Sequence, residues 1–166
     1  YSVIDVTDQE KKDKLAVLCD NQPFISKAKM VLVFVADYLK YYEAFKYEHL
    51  DPLPLGMGDL MLAMQDSIIA AQNGVTAAQS LGSGSCYICD VMENHDEMVK
   101  LLNLPDYLYP ACMVVFGYPT LQQINRNKPK RVDNKYVFFE NEYKHLSKEE
   151  LEDMLSYKAI ANTYQE

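Results

Sequence analysis

The chain has 166 residues, of which 49% are hydrophobic and 24% charged, a composition typical of a globular protein with a sizeable core. Its formal net charge of −8 argues against nucleic-acid binding, because phosphate recognition needs a concentrated basic surface. Four irregularly spaced cysteines argue against a secreted disulfide scaffold, and the sequence shows no signal-peptide or transmembrane pattern. We therefore expect a single domain over residues 1–166, located in the cytoplasm, that binds neither nucleic acid nor membrane.

Strands and helices alternate in the first third of the chain. Ser2–Val6 has strand character, and Thr7 with Glu10 forms a capping-box pattern that predicts the start of a helix. Met30–Ala36 is a continuous apolar run of strand length, which predicts a strand covered on both faces. Asp37–Tyr47 has helical character and follows directly.

A loop and a long helix follow. Residues 49–58 contain two prolines and two glycines, so they predict a loop and a candidate lid, and Asp59 predicts the start of the helix. Between Asp66 and Asp90 there is no charged side chain, and small residues cover much of the helix circumference. We expect a helix that is buried nearly all round, at a subunit interface rather than in a monomer core. Its apolar residues recur at close to 3.6-residue spacing at Leu60, Ala63, Met64, Ile68, Ala71, Val75, Ala78 and Leu81.

The rest of the chain predicts two more strands and two more helices. A helix is expected over Asp96–Asn103, a buried strand over Ala111–Phe116 and a final strand over Tyr136–Glu140. Ser147 and Glu150 form a capping pair for a terminal helix. Together these elements predict an α+β fold with a mixed central sheet flanked by helices.

Cys86 and Cys89 have the spacing of a CxxC motif. A zinc site would need further ligands, yet there is no second CxxC, and the three histidines are widely separated. If the segment is extended, side chains three residues apart point to opposite faces. We interpret the pair as unrelated core or near-core thiols, with a thiol-redox couple as the alternative.

The order of short motifs from residue 1 to about residue 145 resembles the nitroreductase family of FMN-dependent oxidoreductases. Each motif is weak evidence alone, whereas the whole series at family-like spacing is specific. The matching residues are Ala70–Asn73, Ala77, Ala78, Ser80–Gly82, Gly84, Tyr87, Ile88, Leu101–Pro105, Tyr107, Pro110, Gly117–Pro119 and Lys128–Arg131.

The resemblance implies a flavin site with two parts. The backbone of Ile88, Cys89 and Asp90 would lie along the N5/O4 edge of FMN, and Lys128, Lys130 and Arg131 would meet the phosphate. Without the resemblance, a solvated loop is the favoured interpretation of the basic segment 126–131, and only the resemblance reverses this preference.

The resemblance also implies an activity and an assembly. NAD(P)H would reduce FMN by hydride transfer in a ping-pong reaction, and a nitroaromatic, quinone or similar small molecule would then accept the electrons. No catalytic side chain and no metal are implied. The protein would be a homodimer with flavin at the subunit boundary and the long helix in the interface.

Two departures from the family pattern leave alternatives open. The family's basic N-terminal motif would precede Ser2–Val6, so we expect this chain to be a fragment or clipped polypeptide. Cys89 stands where relatives commonly have glycine. The alternative function is a truncated, non-catalytic protein of the same fold that binds flavin weakly or not at all.

Overall fold

Four strands form one sheet in the computed structural model, which describes residues 1–128 and 131–161 and side chains up to residue 156. The strand order is β1-β2-β4-β3, and all three pairings are antiparallel. The α+β class is confirmed, but the sheet of described strands is antiparallel rather than mixed. A buried apolar run has the same pattern in either direction, so the sequence could not fix strand orientation. The strands are β1 (Ser2–Asp5), β2 (Met30–Asp37), β3 (Gly84–Ile88) and β4 (Leu108–Gly117).

Seven α-helices occur in the described residues. None of the described helices has the length and apolar character needed to cross a membrane. They are α1 (Gln9–Leu18), α2 (Pro23–Lys27), α3 (Leu39–Tyr47), α4 (Met57–Ser80), α5 (His95–Leu102), α6 (Leu121–Asn125) and α7 (Lys148–Ala161).

The chain divides into two compact units. The first, Tyr1–Thr120, contains the whole sheet and α1 to α5, and the second begins at Leu121. The single domain expected over residues 1–166 stays a prediction. In the second unit, the strand expected over Tyr136–Glu140 is wrong, because none of these residues lies in a strand, and Tyr136 ends a 3-10 turn over Asn134–Tyr136. The Asp133 side chain accepts a hydrogen bond from the Lys135 amide and starts this turn.

Of the two helix caps predicted from the sequence, the one at the last helix is confirmed and the one at the first helix is wrong. The predicted capping pair of α7 is confirmed, since the Ser147 amide donates to Glu150 at 2.9 Å and the Glu150 amide donates to the Ser147 hydroxyl at 3.2 Å. The predicted Thr7 cap of α1 is wrong. Asp8 caps this helix, with its carboxylate accepting from the Lys11 amide at 2.8 Å. Both residues have capping side chains, and only the backbone path selects between them.

The core lies on both faces of the sheet, as the apolar run in β2 predicted. One face packs against α1, α2 and α5, with Val31, Val33 and Met113 fully buried. The other face packs against α4, where Phe34 and Val114 contact the helix around Ala71. Every residue from Val33 to Asp37 is buried.

Helix α4 is buried along one stripe only. Its buried residues are Ala63, Ser67 and Ala71, and the Ser67 hydroxyl donates to the Ala63 carbonyl at 2.7 Å. Leu62 and Ile69, on the opposite side, are 58% and 62% exposed. Within one chain the helix is therefore buried on one side only, and the burial expected at a subunit interface stays a prediction. The exposed apolar side is consistent with an interface, since none of the described residues covers it.

A buried carboxylate joins the end of β2 to the start of β1. Asp37 accepts a hydrogen bond from the Ser2 hydroxyl at 2.5 Å and lies 3.2 Å from the Lys40 ammonium group. Burial alone would raise the pKa of Asp37, but the hydrogen bonds and charge from Ser2 and Lys40 outweigh it and hold the pKa below the ordinary value of 3.8.

This lowered pKa predicts a pH-dependent contribution to stability. Wild type should be more stable than Asp37→Asn near neutral pH, because only the ionised carboxylate receives the full set of contacts. The difference should start to close as the pH falls to the ordinary aspartate pKa of 3.8 and should be lost below the lowered pKa of the folded state. Urea unfolding of both proteins across this pH range measures the effect. Ser2→Ala should show a smaller pH-dependent loss of stability relative to wild type, because it removes only one of the contacts to Asp37. Parallel pH profiles for wild type and Asp37→Asn would contradict the assignment.

Candidate functional site

The chain changes direction immediately after β3. Ile88 ends the strand and is buried, packed in the same cluster as Val91 and Met113. Cys89 then adopts right-handed helical angles, with φ −94° and ψ −11°, and starts a 3-10 turn over Asp90–Met92. The three backbone positions predicted to meet the flavin edge therefore form one continuous bend at the end of a strand.

The amides of this bend are available to a ligand. Among hydrogen bonds between described residues, none uses the amide of Cys89 or Asp90 as a donor, and Cys89 is exposed. The first amides of a helical turn have no partner within the turn, which explains why they are free. Two adjacent free donors at a strand end suit the polar edge of a planar heterocycle.

The Asp90 side chain is directed away to the α1–α2 connection. Its carboxylate accepts a hydrogen bond from the Gln22 amide at 2.7 Å, and the same nitrogen of Gln22 lies 2.9 Å from the Cys19 carbonyl. Burial, and then the charges of Asp90 and Glu93, raise the pKa of Cys19 to about 12. Cys19 is therefore a neutral core thiol. The Gln22 side chain links the Asp90 carboxylate of the bend to the backbone of the α1–α2 connection.

The cysteines of the CxxC motif are both exposed, so the expectation of core or near-core thiols is wrong for both. Cys86 lies in β3 opposite Val115, whereas Cys89 lies beyond the strand. No disulfide joins them.

A cavity of about 460 Å³ lies within the first unit, where β2 ends and β4 begins. The candidate lid contributes Leu55 and Gly56 to its wall, and the Gly56 amide donates to the Asp59 carboxylate at 2.8 Å, which ties the loop to the first turn of α4. His95 and Tyr109 form part of the opposite wall and stack with ring centroids 4.7 Å apart. Sequence reasoning missed these two rings, since they are 14 positions apart and belong to no motif.

The predicted phosphate residues belong to the second unit. Lys128 and Arg131 are exposed, and neither forms an ion pair with another described residue. Both charges are therefore available to an anion. Lys130 lies outside the described residues. The structure thus brings Ile88, Cys89 and Asp90 together in one bend of the first unit. Lys128 and Arg131 belong to the basic segment of the second unit.

Comparisons with known proteins agree with the order of motifs. A family model described as the nitroreductase family matches residues 2–118. The chain is 34% identical to an FMN reductase (NADPH) of Bacillus subtilis strain 168, covering all of this chain and 67% of the relative. It is 37% identical to a Cr(VI) reductase of Pseudomonas sp. strain G-1, covering 91% of this chain and 61% of the relative.

A solved structure shares the fold. The NADPH:FMN oxidoreductase of Vibrio harveyi, solved with NAD⁺, superposes with a TM-score of 0.83 at 30% identity, covering 99% of this chain and 67% of that protein. The chain thus spans about two thirds of the length of these relatives or slightly less. The motif series, the fold and the match over residues 2–118 together establish that the chain belongs to the nitroreductase family.

Proposed function

We propose that this chain forms the flavin site of an FMN-dependent oxidoreductase that takes electrons from NAD(P)H. The observation that carries the proposal is the exposed bend after β3, whose two unpaired amides occupy the positions that the family resemblance assigns to the flavin edge. Family membership and the names of the FMN reductases among its relatives support the same cofactor. Bound FMN would accept hydride from NAD(P)H and pass the electrons to a nitroaromatic, quinone or similar acceptor in a ping-pong reaction.

The residues of the bend fit this cofactor. The amides of Cys89 and Asp90 would donate hydrogen bonds to the N5/O4 edge, which stabilises the negative charge that develops there on reduction. Ile88, buried beneath the bend, would keep these donors in place. The Gln22 side chain holds the Asp90 carboxylate to one side, so that its charge does not face the reduced ring.

The phosphate would be bound by Lys128, Lys130 and Arg131. Two of these side chains are exposed and have no acidic partner among the described residues. Arg131 contributes most in this proposal, because a guanidinium group can pair with two phosphate oxygens at once.

The cavity beside α4 is the proposed acceptor pocket, and residues 49–58 are its lid. The volume of about 460 Å³ is within the usual range for small-molecule sites. The stacked rings of His95 and Tyr109 would offer a flat surface to an aromatic acceptor.

A homodimer completes the proposal. The exposed side of α4 carries Met61, Leu62 and Ile69, which a second copy would cover. Small residues on the same helix, such as Ala77, would allow a close approach between the two helices.

An anaerobic titration tests this function. The purified chain mixed with FMN and separated from free flavin should retain yellow absorbance, and adding NADPH should bleach it faster than it bleaches free FMN. Adding a quinone should then restore the colour. Protein that stays colourless after exposure to FMN, or flavin that NADPH does not bleach, would overturn the proposal in favour of a non-catalytic protein of this fold.

A further inference from the structure

A second cysteine adjoins the end of the β3–β4 ladder. Tyr87 lies opposite Val114 and Ile88 opposite Met113, and Cys89 and Cys112 are the residues next to this last pair on the two segments. Paired residues of an antiparallel ladder have Cα atoms about 4.5–5.5 Å apart, and both cysteines lie one residue beyond such a pair. That separation is compatible with a disulfide.

The two side chains also share a face of the sheet. Cys112 and Val114 face α4, and Tyr87 packs against the same cluster. Because Cys89 comes two residues after Tyr87 and directly past the strand end, we expect its side chain on the α4 side, whereas Cys86, within β3, points to the opposite face. The electrostatics agree, because after burial the charge on Cys89 raises the pKa of Cys112, and it also contributes to the raised pKa of Tyr87.

The accessibility of the two thiols differs. Cys89 is exposed at the bend, whereas Cys112 has no exposed surface. An oxidant in solution can therefore reach Cys89 directly, and Cys112 only through Cys89.

We propose that Cys89 and Cys112 form a reversible intrachain disulfide when the protein reacts with a low-molecular-weight disulfide. The Cys89 thiolate attacks one sulfur of the external disulfide, so a mixed disulfide forms and one small thiolate leaves. The Cys112 thiol then loses its proton to solvent and attacks the Cys89 sulfur, so the protein disulfide forms and the second small thiolate leaves. Two protein sulfurs are oxidised and the external disulfide is reduced to two thiols. The bond would lie beside the proposed flavin contact, but its formation does not depend on flavin binding.

The second step should depend strongly on pH. Burial raises the pKa of Cys112 to about 11, so little of it is thiolate near neutral pH. The closing rate should rise about tenfold for each pH unit between pH 7 and pH 9, following the thiolate fraction of Cys112.

Intact-mass spectrometry of the full chain treated with glutathione disulfide tests the proposal without reference to flavin. Because Cys86 is exposed as well, the mass is read on Cys86→Ser, where one glutathionyl group should appear first and then be lost, leaving a chain lighter by two hydrogen atoms. Peptide mapping without reductant should link Cys89 to Cys112, and dithiothreitol should restore the starting mass. A bond between Cys86 and Cys89, or glutathione that stays on Cys89 even at pH 9, would overturn the proposal.

Three variants separate the roles of the cysteines. Cys86→Ser, on the other face, should still form the bond, whereas Cys89→Ser should form none. Cys112→Ala should stop at the mixed disulfide, with circular dichroism used to confirm that it folds. If Cys112→Ala does not fold, the comparison of Cys86→Ser with Cys89→Ser still decides, because a bond that needs Cys86 contradicts the pairing.

Discussion

Replacing Arg131 with alanine is expected to weaken FMN binding about 10- to 150-fold, which corresponds to the loss of one charge-assisted hydrogen-bonded contact of roughly 1.5–3 kcal/mol. The exposed guanidinium has no ion-pair partner among the described residues, so its removal leaves no protein charge uncompensated. The effect should therefore appear in ligand binding and not in the free energy of unfolding. Fluorescence quenching of FMN during titration with protein measures it.

Riboflavin provides the matched ligand control, because it carries the same ring without the phosphate. Its affinity should be the same for wild type and Arg131→Ala. Arg126→Ala is the matched protein control, since Arg126 is also an exposed arginine of the basic segment but is not an assigned phosphate residue. Equal losses of FMN and riboflavin binding in Arg131→Ala would show that Arg131 does not meet the phosphate.

Replacing Ile69 with aspartate is expected to convert the proposed dimer into monomers. Ile69 lies on the exposed side of α4 and is 62% exposed in the single chain. In a two-fold dimer the substitution occurs twice, and each copy would bury a carboxylate without a partner. The dissociation constant of the dimer should rise at least about a hundredfold. Sedimentation velocity over a concentration series measures this change.

Val17 supplies a control with the same exposure. It is an apolar residue of α1, also 62% exposed, and it lies outside the proposed interface. Val17→Asp should therefore leave the oligomeric state unchanged. Wild type that sediments as a monomer at all concentrations, or an Ile69→Asp protein that stays dimeric, would rule out the α4 interface.

The sequence was most informative where a local pattern has one structural solution. The apolar run at Met30–Ala36 predicted a strand covered on both sides, and the structure confirms it as part of β2. The Ser147 and Glu150 pair predicted the start of α7 because the capping contacts are only three residues apart. The family resemblance depended on the order of many such short motifs, so the comparisons could confirm it over residues 2–118.

Predictions failed where the answer depended on more distant parts of the chain. Tyr136–Glu140 has the composition of a strand, but a strand needs an adjacent strand, and a turn closed by Asp133 forms there instead. In α4 the sheet covers only the stripe through Ala63 and Ala71, so the burial expected on its other sides depends on a second copy and stays a prediction. Periodicity identifies an apolar surface without specifying what covers it.

The sequence by itself determined the α+β class and the family, because both depend on patterns formed by residues close together in the chain. Only the tertiary structure decided that the sheet is antiparallel and that the amides of Cys89 and Asp90 are unpaired. It also decided that Cys89 and Cys112, 23 positions apart in the chain, both adjoin the last β3–β4 pair, Ile88 with Met113. Strand direction and register arise from pairing between distant segments, and a one-residue change in register would turn each side chain to the other face.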